Sequence, residues 1–260
     1  MSQDLITLEL DGPVAVMSNN RPEKHNAAND AMDLRLWEVL GELHQMPDVR
    51  CIIWRGNGKS FSSGRDTTEL GIRTEDISDF DFIERGHSGA QQFFSMPAPI
   101  LVAMKGWVIG GSFERALLCD MRIAAENARM SLPEVGHGVV PDSGGTARLF
   151  QMAGHGLVTD LALTGRVMDA EEALRHGVVS RVVPDDQLDD TALEIAQKIA
   201  AAPPFTVKMF RRTLGRMAHP LAKASIQEEA VTQSMVFASE DYAELKEARA
   251  ANREPKFRNR

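Results

Sequence analysis

Through Val183 the chain alternates short β-rich runs with segments of helical periodicity, and this alternation limits its possible folds more than any other feature. The runs are LITLEL, VAVMSN, RCIIWRG, PILVAMKG, DMRIAA and VVSRVV. Helices are expected over residues 29–45, 80–95, 112–119, 144–152, 158–163 and 170–175. Strands separated by helical crossovers imply an α/β fold. After Pro184 the composition shifts to helix formers, beginning with DDQLDDTALEIAQKIAAAP and continuing through three more helix-like stretches to about residue 252. Prolines at 203–204 and 220 mark breaks. The expected organisation is an α/β core over 1–200 and a helical region over 201–260. Apolar residues of that region, among them Phe210, Leu214, Met217, Met235 and Phe237, need cover from the core or from another subunit.

A chain of 260 residues can bury a substantial core without disulfides or metals. Its apolar fraction of 43% and charged fraction of 25% are those of a soluble globular protein. No apolar run approaches the roughly 20 residues of a membrane span. The N-terminus leads directly into strand-like sequence with no signal peptide, so a cytoplasmic location is expected. Cys51 and Cys119 sit in apolar runs, where buried reduced thiols are expected. A net charge of -8 argues against a nucleic-acid surface. The basic tail REPKFRNR is either a solvated terminus or a contact for an anionic ligand.

Two motifs fail on their spacing. GNGKS resembles the end of a phosphate-binding loop, but Ile53 stands where the first glycine belongs. The GGS at residues 110–112 has Glu114 where a nucleophile elbow needs glycine, which disfavours a serine hydrolase. The seven histidines show no zinc-like spacing, and no metal is expected.

Three other segments put glycines or acids at strand ends, where α/β folds assemble sites. In GKSFSSGRDTTEL, Asp66 and Glu69 resemble a capping pair, so a helix is expected to begin there, just after the amides of Gly64 and Arg65. In KGWVIGGSFERALLCD, Gly110 and Gly111 lead into a short helix whose first amides can bind developing negative charge. Together these two suggest an oxyanion hole. In RMSLPEVGHGVVPDSGGTARL, Glu134 lies in an apolar stretch, where desolvation would raise its pKa and suit it to carry a proton near neutral pH. Asp142, before the next glycine pair, is a second carboxylate, or else a helix cap.

NRPEKHNA, SFSSGRDTTEL, GWVIGGSFERALLCD, SLPEVGHGVVPDSGGTARL, LTGRVMDAEEALRHGVVSRVV and the helical tail, in this order, resemble the enoyl-CoA hydratase/isomerase (crotonase) superfamily over essentially the whole chain. The resemblance implies a spiral of ββα units with a C-terminal helical region for subunit packing, in trimers or hexamers. It implies an acyl-CoA thioester as substrate, without a cofactor, metal, nucleic acid or membrane partner. The amides of Arg65 and Gly111 would hold the thioester oxygen, and Glu114 and Glu134 match the two catalytic glutamates of the hydratases. Lys24, His25, Ala27, Ser63 and Asp66 would line the CoA channel, with Lys256 and Arg258 as phosphate contacts.

Three positions depart from the hydratase pattern. Arg65 replaces a small residue and brings a cationic side chain toward the thioester or pantetheine. Ser112 and Phe113 replace smaller residues before Glu114. Asp142 matches a catalytic aspartate of certain isomerases, including dienoyl-CoA and ring-acting ones. Hydration is favoured because the full glutamate pair is present, with isomerisation through Asp142 as the alternative. A non-catalytic or RNA-binding member of the fold is the outside alternative. The segment 71–89 is expected to form a wall of the acyl pocket.

Overall fold

The computed structural model describes residues 4–69 and 76–260. The chain begins with a hairpin, β1 (Ile6–Asp11) and β2 (Val14–Asn19), followed by α1 (Asp30–His44), whose first turn is capped by the Asn29 side chain accepting from Met32 N. It continues through β3 (Cys51–Gly56), α2 (Asp79–Ser95), β4 (Ile100–Met104), β5 (Trp107–Ile109), α3 (Gly111–Leu118), β6 (Met121–Ala125) and β7 (Arg129–Ser131). After these come α4 (Gly145–Thr164), β8 (Met168–Asp169), α5 (Ala170–Arg175), β9 (Val182–Val183), α6 (Leu188–Ala200), α7 (Pro204–Phe237) and α8 (Glu240–Ala250).

Among the described residues, one sheet runs β1-β2-β3-β4-β6-β9 and a smaller one β5-β7-β8. Only the first pair of the large sheet is antiparallel; β2 through β9 pair in parallel. A parallel sheet is covered on both faces, so its strands must be apolar on both. Alternation along β3 and β4 divides them accordingly. Ile52, Trp54, Ile100 and Val102 join the larger core with residues of α1, α2 and α3. Cys51, Ile53, Leu101 and Ala103 meet Leu188, Ala192 and Ile195 of α6 on the opposite face. Both cysteines are buried and free, and burial pushes the Cys51 thiol up to about 12.

Parallel pairing puts the ends of β2, β3 and β4 side by side, and the segments that follow stay in register. Ala28 bridges Arg65, and Ser62 bridges Val108 of β5. Asn26, fully buried with φ +57, locks this layer: its side chain donates to the carbonyls of Asn57 (2.9 Å) and Ser60 (2.7 Å). Three chain segments from three strand ends thus converge on one place.

Two expectations are corrected here. No helix starts at Asp66; its carboxylate accepts from Thr68 N (3.2 Å) and Thr68 Oγ1 (2.6 Å), which makes a local turn that competes with a helix start. The break expected at Pro220 is absent, because α7 runs unbroken from Pro204 to Phe237 with Pro220 inside it. The stretches expected at 144–152 and 158–163 are the two parts of α4, which separate at the non-helical Gly154 (φ +79, ψ 170). Residues 71–75 of the expected acyl-pocket wall lie outside the described residues, while 79–89 belong to α2.

Candidate active site

The loop after β3 and the start of α3 each present a backbone amide with no acceptor among the described residues. In the Ala28–Arg65 bridge, Ala28 N donates to Gly64 O and Asp66 N donates to Ala28 O, so the Arg65 amide points away from the pairing. The Gly111 amide opens α3, where the first turn has no intrahelical acceptor. Both residues border one cavity of about 200 Å3. Ser62 Oγ donates to Asn26 O at 2.7 Å and lies 2.8 Å from Ser112 Oγ, which ties the two amide-bearing segments together.

Gly110, between β5 and α3, has φ +59 and ψ -139, and a Cβ there would come within 2.7 Å of Glu134 Oε1. That close approach brings Glu134, in a 3-10 turn at Glu134–His137, against the cavity it borders. Its Oε2 is buried without a hydrogen-bond partner, and burial pushes its carboxyl up to about 7.

Glu114 is fully buried in the first turn of α3. Its carboxylate accepts from Ser143 N (3.2 Å), Gly145 N (3.2 Å) and Thr146 Oγ1 (3.3 Å), at the start of α4. Burial raises its pKa well above the usual carboxylate range, with Glu229, Glu134 and Asp142 adding repulsion. Asp142 borders the cavity with its pKa raised by burial, an effect that His87 and Arg115 oppose. The three carboxylates singled out in the sequence are therefore neighbours, although only Glu134 and Asp142 border the cavity. Glu114 lies behind it.

The Arg65 side chain does not stand free over the site. It pairs with Asp30 and, at 3.4 Å, with Asp33 of α1, while Arg115 takes Asp33 in a two-pronged contact and lies over the Trp37 ring. Lys24, His25, Ala27, Ser63 and Asp66 are brought together. Lys24 Nζ is 3.1 Å from Asp66 Oδ2, Ser63 N donates to His25 O at 2.9 Å, and His25 Nδ1 lies 3.0 Å from Ser60 Oγ. Donation from Thr68, Lys24 and Arg21 holds the Asp66 carboxyl well below its usual range. Lys256 and Arg258 are instead tied to α8, their amides donating to Glu244 and Asp241.

Sequence reasoning missed three side chains that grip the segment carrying Asp142. His87 of α2 contacts the Asp142 carbonyl through Nε2; Gln233 of α7 accepts from Val140 N at 2.8 Å; Glu229 of α7 accepts from Gly144 N at 2.8 Å. Polar residues on otherwise apolar helix faces were the available signal, but a spacing pattern does not say what they meet.

Fold and cavity together define an α/β protein with two unpaired amides facing a cleft beside carboxyl groups that hold protons near neutral pH. The chain belongs to the enoyl-CoA hydratase/isomerase family, whose model matches residues 9–260. It is 37% identical over 217 residues, 83% of each chain, to a short-chain-enoyl-CoA hydratase of Clostridium acetobutylicum. It is also 35% identical over 253 residues, 96% of each chain, to a carnitinyl-CoA dehydratase of Citrobacter koseri. A solved enoyl-CoA hydratase/isomerase from Pseudoalteromonas atlantica superposes with a TM-score of 0.88 at 30% identity, covering 98% of this chain and 100% of that one.

Proposed function

We propose that this chain adds water across the 2,3 double bond of an unsaturated acyl-CoA thioester. The observation that carries the reading is the meeting, at one cavity, of the Arg65 and Gly111 amides with the unpartnered Oε2 of Glu134. In such a thioester the β-carbon accepts a nucleophile only if charge can move to the carbonyl oxygen. Two fixed amides stabilise that charge, and loss of one such donor raises a barrier by about 3 to 4 kcal/mol.

Buried carboxylates this close do not all ionise at once. Burial and its carboxylate neighbours raise the proton affinity of Glu114, and its three donors oppose them; hydration uses the form in which Glu114 is ionised and Glu134 holds the proton. Glu114 lies behind the cavity wall at Ser143, whose amide donates to it, so water enters past that wall for Glu114 to take its proton as oxygen bonds to the β-carbon and electrons move onto the thioester oxygen. As the enolate collapses, Glu134 delivers its proton to the α-carbon. No cofactor takes part in this step.

Lys24, His25, Ala27, Ser63 and Asp66 line the entry for the CoA moiety, and Lys256 and Arg258 reach phosphates from the tail. Residues 1–200 form the catalytic core, and 201–260 pack subunits into a trimer or hexamer working in the cytoplasm. Among the described residues no helix is long and apolar enough to cross a membrane.

A second reading has one observation in its favour. Asp142 borders the same cavity with raised proton affinity, as a group shuttling a proton between carbons would. Following crotonyl-CoA by loss of conjugated thioester absorbance and by solvent-proton exchange separates the two. Hydration without migration of the double bond supports the first reading; a shifted double bond without net water uptake supports the second.

A further inference from the structure

The cavity wall beyond Glu134 is not uniformly apolar. Gln233 of α7 is fully buried and borders the cavity, and its orientation is fixed: Val140 N–H can only donate to an oxygen, so Oε1 is the atom at 2.8 Å. The amide nitrogen Nε2 is left with no partner, a buried donor that proteins seldom leave unmade. A leucine or methionine would occupy similar volume without that penalty.

Opposite chemistry stands in the same wall. His87, 2% exposed, reaches the Asp142 carbonyl through Nε2, so Nε2 carries the hydrogen, while Nδ1 lies 3.9 Å from Glu84 Oε1 with no hydrogen-bond partner. The Asp142 carboxyl borders the cavity beside it. A wall with the unused donor of Gln233 and the carboxyl oxygens of Asp142 is complemented by a group that both accepts and donates. A hydroxyl does so; a carboxylate would face Asp142, and an alkyl terminus would leave Nε2 buried and unmatched.

We infer that Gln233 selects unsaturated acyl-CoA substrates whose acyl chain carries a hydroxyl beyond the double bond, its carboxamide donating to that oxygen. The inference rests on the hydratase reading and narrows it to a substrate class.

The test uses the full chain and substrates matched in size, one bearing CH2OH where the other bears CH2CH3. The pairs are 4-hydroxybut-2-enoyl-CoA with pent-2-enoyl-CoA, and 5-hydroxypent-2-enoyl-CoA with hex-2-enoyl-CoA. At least one hydroxylated member is expected to show a kcat/KM at least tenfold above its alkyl partner. Gln233→Leu should collapse that ratio to about one. Gln233→Glu assayed at pH 8, where the carboxylate is ionised, keeps an acceptor for the Val140 amide and removes the donor, and should collapse it too. Equal turnover within both pairs overturns the inference and leaves hydration standing. So does a Gln233→Leu enzyme that loses both members of a pair in equal proportion, because Gln233 would then serve only to hold Val140. Failure to hydrate any of the four, or crotonyl-CoA, overturns both readings.

Discussion

At the scale of single residues, the site depends on where protons rest. Glu134, with its carboxyl raised to about 7, holds a proton below neutral pH and releases it as the pH rises through 7. The kcat/KM for hydration should therefore fall on an alkaline limb centred near pH 7, which a pH series on the wild type measures. Glu134→Gln should lower kcat by roughly 10²- to 10⁴-fold with a much smaller change in KM; stopped-flow turnover and CoA-ester binding separate the two. Glu229 allows a test that touches no substrate. Burial raises its carboxyl to about 7 even though it accepts from Gly144 N and Ser225 Oγ. A carboxyl with a folded pKa above its unfolded value keeps its proton when the unfolded chain has lost it, so stability falls as pH rises from about 4.5 to 7 and stays reduced above. Glu229→Gln removes that dependence while keeping an acceptor for Gly144. The variant should gain Tm over the wild type at pH 8 and little at pH 4.5. By removing a repelling charge it should also lower the proton affinity of Glu114.

At the scale of elements, close approach holds the catalytic pieces in place. A Cβ on Gly145 would lie 2.3 Å from Glu114 Cα, a backbone atom that cannot move aside, so α3 and α4 touch only because residue 145 is glycine. Gly145→Ala should destabilise the protein by about 1 to 3 kcal/mol, read from chemical denaturation, and shift Glu114 away from its donors. Much of this level was legible beforehand. The spans expected from apolar periodicity for α1 and α5 agree with the structure to within a residue at each end, where Asn29 and Asp169 cap them, each accepting from the backbone three residues on. Glycine-bearing strand ends pointed to amides around Gly64 and after Gly110, although the helix expected at Asp66 is absent, and the family resemblance singled out Arg65 and Gly111. The three-residue strands β5 and β7 and the two-residue β8 escaped notice because elements that short carry no period. Glu229 and Gln233 were equally hidden. Their partners lie 85 and 93 residues away in sequence, and local pattern holds no information about which loop a helix will grip.

At the scale of the whole molecule, α7 is joined firmly to the core on one side and bare on the other. Arg211 fastens it: Nε donates to Asp120 at 2.7 Å, and the remaining guanidinium nitrogens donate to the carbonyls of Phe93 and Met96 at the end of α2. Away from those contacts Phe210 is 64% exposed and Met217 75%, with Leu214 and Leu221 exposed between and beyond them. Their spacing of four, three and four residues is that of one helical stripe, and a second apolar pair, Val231 and Met235, is exposed further along α7. Each exposed aliphatic or aromatic side chain forgoes on the order of 1.5 to 3 kcal/mol that burial would return. A stripe this long is therefore expected to be covered by another copy of the chain in the proposed trimer or hexamer. Replacing Phe210 and Met217 together with glutamate puts charge on the bare face without touching Arg211. Light scattering should then show the assembly reduced to monomers, with far-ultraviolet circular dichroism unchanged. A wild type that runs as a monomer at micromolar concentration, or a variant that keeps the wild-type mass, would show that the stripe does not hold subunits together.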